Sequence, residues 1–242
     1  MLTDKQDAFG HGMLDFLNGA ASSEIVERDD GLIRANGGPG VYFEPFKKWH
    51  PLERQAMRYV RGRVLDIGCG AGRHSLYLQE KGLEVVSTDN SPLAIEVCKR
   101  RGLNDARVLS ITEARSVPGV LDTILLLGGN FGLLGNPARG KRIFKQLHKV
   151  TSDRGRIVTT SSDPTVGNDP DHLAYHAANR AKGKLPGELR IRVRYKRYST
   201  PWIQFLWASK LDMERILEGT GWGVKKYIDA GPVHFAAIIE KT

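Results

Sequence analysis

Residues 64–78, VLDIGCGAGRHSLYL, decide the fold class of this chain. An apolar run comes first, three glycines follow within five positions, and a helical pattern completes the stretch. Glycine loses more conformational freedom on folding than any other residue, so this clustering indicates a turn that brings the backbone close to a ligand. Strand, glycine turn and helix in this order are typical of nucleotide-binding α/β sheets, which bind at the carboxyl edge of their strands.

Strands and helices alternate after this stretch. The apolar runs that predict strands are RVLDI, LEVVSTD, ARVLSI, LDTILLL and GRIVTTSS. Helical patterns lie between them, as in NSPLAIEVCKRRG, where Ser91 precedes Pro92 and Gly102 ends the helix. This alternation predicts parallel βαβ units with right-handed crossovers.

The two ends of the chain have other patterns. LRIRVRYKRYSTPWIQFLWAS predicts an antiparallel hairpin with its turn near Thr200 and Pro201, and a last hairpin turns at Gly231 and Pro232. The helix between the two hairpins has Ser209 as the first residue of a capping box. DHLAYHAANRAKG predicts another helix before the first hairpin, and residues 1–60 carry short helical patterns and a loop.

The glycine loop matches neither of two common phosphate-binding patterns. Gly68, Gly70 and Gly72 form G-x-G-x-G, whereas dinucleotide-binding loops carry G-x-G-x-x-G, and a Walker loop is also absent. Asp66 ends the first strand, and Asp89 ends the second. An acid at the second place can accept hydrogen bonds from both hydroxyls of a ribose. Asp66 suits a ligand with positive charge better than a pyrophosphate.

Together these residues resemble the class I S-adenosylmethionine-dependent methyltransferase family. VLDIGCGAGRHSLYL is similar to its first motif, VVSTDNS to its second, and LDTILLLGGNFGLLG to its fourth. The resemblance covers roughly residues 60–160, and the final helix and hairpin also resemble the end of the family's fold. It implies a doubly wound α/β fold, with a mainly parallel seven-stranded sheet, an antiparallel last strand, an N-terminal cap and an insertion in the C-terminal half.

The resemblance also implies roles for single residues. The glycines let the backbone lie against S-adenosylmethionine, Asp66 orients its methionine amino group, and Asp89 binds its ribose. The implied cofactor-binding residues are Asp66, Gly68, Cys69, Gly70, Gly72, Asp89, Asn90, Ser110, Ile111, Gly128 and Gly129. Arg73, at the start of the helix, is a further candidate that could contact the methionine carboxylate or a substrate, or could point to water. Tyr42 joins them because it follows a glycine-rich loop that could close as a lid. Asn130, next to the last two glycines, is a candidate catalytic residue.

The whole chain, residues 1–242, is predicted to be a single methyltransferase domain. Its parts are an N-terminal cap (1–60), a cofactor-binding core (61–160), an insertion and hairpin over the site (161–208), and a final helix and hairpin (209–242). The implied enzyme moves the methyl group of S-adenosylmethionine to a small molecule, releases S-adenosylhomocysteine and needs no metal. Because the sulfonium is already activated, positioning supplies most of the catalysis and no catalytic triad is required.

Candidate substrate residues lie in the C-terminal half. His172 is a candidate base because histidine titrates near neutrality, and Tyr175, His176 and Trp202 are candidate substrate contacts. The competing interpretation of the two histidines is that both face solvent. A metal site would need a third ligand, and none is suitably spaced nearby. An aromatic residue such as Trp202 could attract the sulfonium or could simply be part of the core.

The basic charge keeps two other functions open. Formal net charge is +9, and in LRIRVRYKR the cations Arg190, Arg192, Arg194 and Lys196 alternate with apolar residues and share one face. This stripe could bind phosphate or carboxylate groups, or it could be an ordinary solvated face. An RNA methyltransferase with a nucleic-acid partner is therefore one alternative. A non-catalytic scaffold protein that keeps the cofactor pocket is the other.

Cysteine content and hydropathy predict the compartment. Cys69 and Cys98 are the only cysteines, and two thiols without metal-ligand spacing predict a reduced state. The N-terminus lacks the apolar core of a signal peptide, and no run reaches the length of a membrane span. The sequence thus predicts a cytoplasmic protein without a membrane partner, and it leaves the oligomeric state open.

Overall fold

The computed structural model describes residues 2–20 and 23–242. The helices of this part of the chain are α1 (Ala8–Leu17), α2 (Pro51–Ala56), α3 (Arg73–Glu80), α4 (Pro92–Arg100), α5 (Pro137–Val150), α6 (Pro170–Ala181) and α7 (Lys210–Leu217). Its strands are β1 (Glu24–Arg28), β2 (Ile33–Asn36), β3 (Val64–Ile67), β4 (Val85–Asp89), β5 (Ala106–Val108), β6 (Leu121–Leu126), β7 (Thr151–Ser162), β8 (Glu188–Tyr195), β9 (Tyr198–Ser199), β10 (Ile203–Leu206), β11 (Trp222–Ala230) and β12 (His234–Lys241).

The larger sheet has seven strands in the order β11-β12-β7-β6-β3-β4-β5. The pairs β3–β4, β4–β5 and β6–β7 are parallel. The last strand, β12, runs antiparallel to β7. The predicted doubly wound α/β fold, with its mainly parallel sheet and antiparallel last strand, is confirmed.

The sequence signals for helix ends act as expected. Ser91 Oγ accepts a hydrogen bond from the Ala94 amide at 2.9 Å, and Pro92 occupies the first turn of α4. Ser209 Oγ accepts from the Asp212 amide at 3.2 Å at the start of α7. Both caps satisfy N–H groups that have no partner inside the helix.

The chain forms two compact units. Unit 1 contains the described residues up to Trp49, together with Gly62–Val117 and Ile191–Ile203. Unit 2 contains His50–Arg61, Pro118–Arg190 and Gln204–Thr242. The single domain with borders after residues 60, 160 and 208 stays a prediction.

Unit 1 joins the N-terminal segment to the glycine loop. All four residues of β3 are buried. Met13 of α1 belongs to the same buried apolar cluster as Ala71 of the loop and Ala94 and Val97 of α4. The side chains of α1 therefore contribute to the core beside the loop, as the predicted N-terminal cap requires.

A smaller sheet with the order β10-β8-β1-β2 was only partly expected. The hairpin β1–β2 lies where the sequence predicted short helical patterns and a loop. The predicted turn at Thr200 and Pro201 is wrong, because β8 turns at Lys196 and pairs back with β9, with Tyr195 opposite Tyr198. Thr200 instead extends this pairing, since its amide donates to the Val193 carbonyl and its hydroxyl accepts from the Val193 amide, both at 2.9 Å.

Unit 2 has an apolar core around β6, β7 and β12. Ile143, Phe144 and Leu147, at helical spacing, form the buried face of α5. Gly140 lets α5 approach α7, since a Cβ there would lie 3.1 Å from Ile216 Cγ2. This packing supports the strands from which the loop after β6 emerges.

Candidate cofactor site

The three glycines shape the loop between β3 and α3. Gly68, Gly70 and Gly72 have φ values of 72°, 56° and 78°, a region that residues with a Cβ rarely adopt. A Cβ on Gly72 would also lie 2.6 Å from Leu103 Cδ1. The amides of Gly68 and Cys69 donate to the Thr88 carbonyl at 2.8 and 3.0 Å and so attach the loop to β4.

Asp89, at the end of β4, holds this loop through its carboxylate. Its Oδ2 accepts from the Gly70 amide and its Oδ1 from the Ser91 amide, both at 3.0 Å. Burial raises the pKa of Asp89 to about 6, although the same two N–H groups act in the opposite direction. Each carboxylate oxygen can accept more than one hydrogen bond, so both keep capacity for a hydroxyl donor. These two acceptor oxygens fit the two hydroxyls of a ribose.

Asp66 is more deeply buried than Asp89. Asp66 is 1% exposed, and its Oδ2 accepts a 2.6 Å hydrogen bond from the Ser75 hydroxyl of α3. Burial raises the pKa of Asp66, and the nearby His74 opposes the shift. The carboxylate therefore ties β3 to α3, and its implied role toward a methionine amino group stays a prediction.

The thiols of Cys69 and Cys98 meet beneath the loop. They are free, and their Sγ atoms lie 3.8 Å apart. Cys98 Sγ donates to the Gly70 carbonyl at 3.1 Å. The contact with Cys98 and burial raise the pKa of Cys69, so this side chain belongs to the core below the loop.

Side chains of the N-terminal segment adjoin the glycine loop and the start of α3. The guanidinium of Arg73 lies 5.5 Å from the centre of the Trp49 ring and 3.9 Å from Glu44 Oε2. Tyr42 lies against the loop, with Cδ1 3.8 Å from where a Gly70 Cβ would be. Its hydroxyl donates to Glu24 Oε2 at 3.3 Å. Arg73 and Tyr42 are thus beside the loop, as predicted, whereas Glu24 was not anticipated.

The predicted adenine-side residues follow β4 and β5. Asn90 is exposed directly after Asp89. The Leu109 amide donates to the Asp89 carbonyl at 2.9 Å, which brings the end of β5 alongside the end of β4. Ser110 caps a short 3-10 helix (Ile111–Ser116), and Ile111 is 7% exposed. An edge of this kind can hold a flat ring, and the individual roles stay predictions.

The loop after β6 belongs to unit 2. Gly128 and Gly129 have φ values of 68° and 82°, and the Gly129 amide donates to Thr160 Oγ1 at 2.9 Å. A Cβ on Gly129 would lie 2.8 Å from the Trp207 ring. Asn130 begins a 3-10 helix (Asn130–Leu134). The loop is tight and has a tryptophan packed on it, and the predicted roles of Gly128, Gly129 and Asn130 stay predictions.

Comparison with known proteins agrees with this geometry. A family model described as a methyltransferase domain matches residues 64–155. A crystal structure of a SAM-dependent methyltransferase from Bacteroides fragilis, in complex with S-adenosyl-L-homocysteine, is 27% identical, with a TM-score of 0.86 over 100% of this chain and 98% of that one. Residues 64–155 are thus a methyltransferase domain, and the fold is that of class I S-adenosylmethionine-dependent methyltransferases.

Curated relatives of this methyltransferase chain include enzymes with small substrates. A glycine/sarcosine N-methyltransferase from Parasynechococcus marenigrum is 29% identical over 39% of this chain and 36% of its own length. A glycine/sarcosine N-methyltransferase from Halorhodospira halochloris is 24% identical over 74% of this chain and 75% of its own length. The match thus spans about a third of the first relative and three quarters of the second.

Three of the predicted substrate residues lie on α6 of unit 2, and Trp202 belongs to unit 1. On α6, His172 is exposed, but His176 is only 5% exposed, so the interpretation of two solvent-facing histidines is wrong for His176. His176 is buried because Asn179, on the same face of α6, holds that face against the following chain. The Asn179 Nδ2 donates to the carbonyls of Pro186 and Glu188 at 3.0 and 2.8 Å. Tyr175 accepts from the Arg190 amide at 3.3 Å. Their contacts with a substrate stay predictions.

The basic stripe is largely neutralised by acids in unit 1. Glu27 of β1 forms ion pairs of 2.8 Å with Arg192 and 2.7 Å with Arg194. Lys196 pairs with Asp15 at 2.6 Å. The guanidinium of Arg192 also lies 4.6 Å from the centre of the Trp202 ring. The predicted substrate residue Trp202 therefore stacks on a paired arginine.

Across residues 2–20 and 23–242, no three His, Cys, Asp or Glu side chains are grouped to hold a metal ion. Within the same residues, no helix is long and apolar enough to cross a bilayer.

Sequence analysis did not single out Glu24, which contacts Tyr42 in unit 1, or Trp207, which packs on Gly129 in unit 2. The packing of Trp207 on Gly129 depends on the path of the chain after β10. Glu24 stands in a short strand without any motif, so no sequence signal distinguishes it from a surface acid.

Proposed function

We propose that this protein transfers the methyl group of S-adenosylmethionine to a small-molecule acceptor. The observation that carries the proposal is the Asp89 carboxylate, which is attached to the glycine loop through Gly70 and retains capacity for two hydroxyl donors. Asp66 precedes the loop, Asp89 accepts from its Gly70 amide, and the loop contains no lysine, which favours a nucleoside with an amino-acid tail over a diphosphate.

In this proposal the chain's residues bind and orient, and the bound cofactor supplies an electrophilic methyl group on its sulfonium. Asp89 holds the ribose, the backbone from Gly68 to Gly72 lies along the amino-acid tail, and the Tyr42 ring excludes water from the loop. Asn130 and His172 remain the candidates for aligning or deprotonating the acceptor. Alignment of the reacting atoms accounts for most of the expected rate enhancement.

The small-molecule acceptor is supported by the curated relatives, whose names give glycine and sarcosine as substrates. An RNA acceptor has less support, because three of the four cations in the stripe are paired with Glu27 or Asp15. Phosphate contacts would have to displace these acids.

Calorimetric titration with S-adenosylhomocysteine tests the cofactor part of the proposal. We expect Asp89→Ala to weaken binding by about 100-fold, since it removes two hydrogen bonds to a charged group. Asp105→Ala is the matched control, because Asp105 is an acid of the same unit that pairs with Arg107 at 2.7 Å. Equal affinity of the Asp89 variant and the wild type would reject the assignment.

A turnover assay tests the acceptor part. Purified protein with labelled S-adenosylmethionine is offered a panel of small amines and hydroxy compounds and, separately, total RNA. We expect label on a small molecule and not on RNA. Labelled RNA would support the nucleic-acid alternative, and binding without any turnover would support the scaffold alternative.

A further inference from the structure

Glu24 is a buried acid of unit 1 that the proposed chemistry does not use. It begins β1 and is 0% exposed. Its Oε1 has no hydrogen-bond partner within the described part of the chain. Gly12 of α1 leaves the room for this oxygen, since a Cβ there would lie 3.0 Å from it. A buried carboxyl without an ion-pair partner is costly, so a further role for it would explain its presence.

The other oxygen of Glu24 collects two donors. Its Oε2 accepts from Asn36 Nδ2 at 3.2 Å and from the Tyr42 hydroxyl at 3.3 Å. Asn36 lies directly opposite Glu24 in the β1–β2 ladder, so the hairpin register brings the first donor to the carboxylate. Tyr42 comes from a separate 3-10 turn (Pro39–Phe43).

Tyr42 links this carboxylate to the glycine loop. Its ring lies 3.8 Å from the Cβ position of Gly70, and the Gly70 amide is the group that Asp89 holds. Burial raises the pKa of Tyr42, and both Glu24 and Asp89 raise it further, so the phenol stays protonated and acts as a donor. Glu24, Tyr42, Gly70 and Asp89 thus form a continuous chain of contacts.

We propose that Glu24 is a positioning residue of the cofactor site, which holds the Tyr42 ring against the glycine loop through the hydrogen bond from the Tyr42 hydroxyl. Without this acceptor the phenol would leave a buried donor unsatisfied, and the ring would lose its position beside Gly70. The inference rests on the proposed function, since the ring then forms one wall of the cofactor pocket. It predicts that Glu24 affects cofactor affinity only through Tyr42.

A double-mutant cycle on the affinity for S-adenosylhomocysteine at pH 8 tests the coupling. We expect Tyr42→Phe and Glu24→Ala each to weaken binding about tenfold, and the double variant also about tenfold, because both remove the same hydrogen bond. Glu24→Gln keeps an acceptor oxygen and should bind within about threefold of the wild type. If Glu24 had only a structural role, the affinity losses of the two single variants would add in the double variant. Glu24→Gln would then not restore the affinity.

The matched control is Glu27→Ala, on the same strand, whose ion pairs with Arg192 and Arg194 do not touch Tyr42. It should leave the affinity unchanged. Unchanged affinity of Tyr42→Phe, or a loss of about 100-fold in the double variant, would overturn the inference. Should Glu24→Ala not fold, the comparison of Tyr42→Phe with Glu24→Gln decides, because a tenfold loss is expected only in the former.

The same titrations separate this inference from the proposed function. If the wild type itself does not bind S-adenosylhomocysteine, both are wrong. If Asp89→Ala abolishes binding while Tyr42→Phe binds like the wild type, the proposed function stands and only the role of Glu24 is overturned.

Discussion

Asp89 and Glu24 are two acids of unit 1 with raised pKa values and different surroundings. Asp89 is held by the backbone amides of Gly70 and Ser91, and its pKa is raised to about 6. Glu24 is held by side chains only, and burial raises its pKa from an ordinary value of 4.5 to about 7. At the residue scale we therefore expect Asp89 to make cofactor affinity depend on pH, and Glu24 to make the free energy of unfolding depend on pH.

The first residue-scale prediction concerns the pH dependence of cofactor affinity. A ribose donates hydrogen bonds to the ionised Asp89, so protonation below about pH 6 should weaken binding by up to about tenfold per pH unit. Calorimetric titration with S-adenosylhomocysteine from pH 5 to 8 measures this slope. Asp89→Asn should bind more weakly with a flatter profile, and it also controls for titration of the ligand. Parallel profiles of the two proteins would contradict the assignment of Asp89.

The second residue-scale prediction concerns stability. The folded-state pKa of Glu24 exceeds its unfolded value, so the contribution of its bound proton is complete below pH 4.5 and is lost as the pH rises through about 7. Relative to Glu24→Gln, the wild type should lose about 2–3 kcal/mol of unfolding free energy between pH 5 and pH 8. Urea denaturation at both pH values measures the difference.

Glu27→Gln, on the same strand, is the control for that measurement. The hydrogen bond from Arg192 lowers the pKa of Glu27, so the wild type should gain stability relative to this variant as the pH rises. A pH-independent difference between the wild type and Glu24→Gln would show that the Glu24 carboxyl is not desolvated in the folded protein.

At the element scale, close backbone contacts decide how the strands of the C-terminal half are placed. Gly187 precedes β8, and its carbonyl accepts from the Trp207 amide at 2.9 Å. A Cβ on Gly187 would lie 2.0 Å from the Trp207 carbonyl oxygen, a backbone atom that no rotamer change can move. The chain before β8 and the chain after β10 can therefore approach only because residue 187 is a glycine.

Gly187→Ala should consequently lower the unfolding free energy by about 2 kcal/mol or more, since a steric conflict of this kind strains the backbone. Thermal unfolding followed by circular dichroism measures the loss. Gly223→Ala in β11 is the matched control, because its Cβ would meet only the side-chain methyl of Thr242, 2.7 Å away. Equal melting temperatures of the two variants would contradict the close approach at Gly187.

At the scale of the whole molecule, the cofactor should stabilise the fold. Binding to the folded state at 100 times the dissociation constant adds about 2.7 kcal/mol, which corresponds to roughly 5–10 °C in melting temperature for a chain of this size. We expect this shift with S-adenosylhomocysteine and none with NAD or ATP at the same concentration, because the loop lacks a phosphate-binding pattern. A shift with NAD of similar size would contradict the cofactor assignment.

The sequence by itself determined the α/β class, the parallel core and the position of the glycine loop. These features are local. The short apolar run VLDI before a glycine turn is a buried strand, the caps at Ser91 and Ser209 satisfy neighbouring amides, and Gly68, Gly70 and Gly72 form the turn that their clustering predicted. The place of Asp89 beside the glycine loop also follows from the sequence, because Asp89 ends β4, the strand next to β3.

Tertiary structure alone decided the surroundings of Glu24, the burial of His176 and the turn at Lys196. Glu24 becomes a site residue only when the β1–β2 register brings Asn36 opposite it and a separate turn brings Tyr42. His176 is buried because Asn179 fastens that face of α6 to the chain before β8. Contacts between residues far apart in sequence leave no periodic pattern in the sequence. They stabilise the protein only once the chain has folded, so local sequence patterns do not predict them.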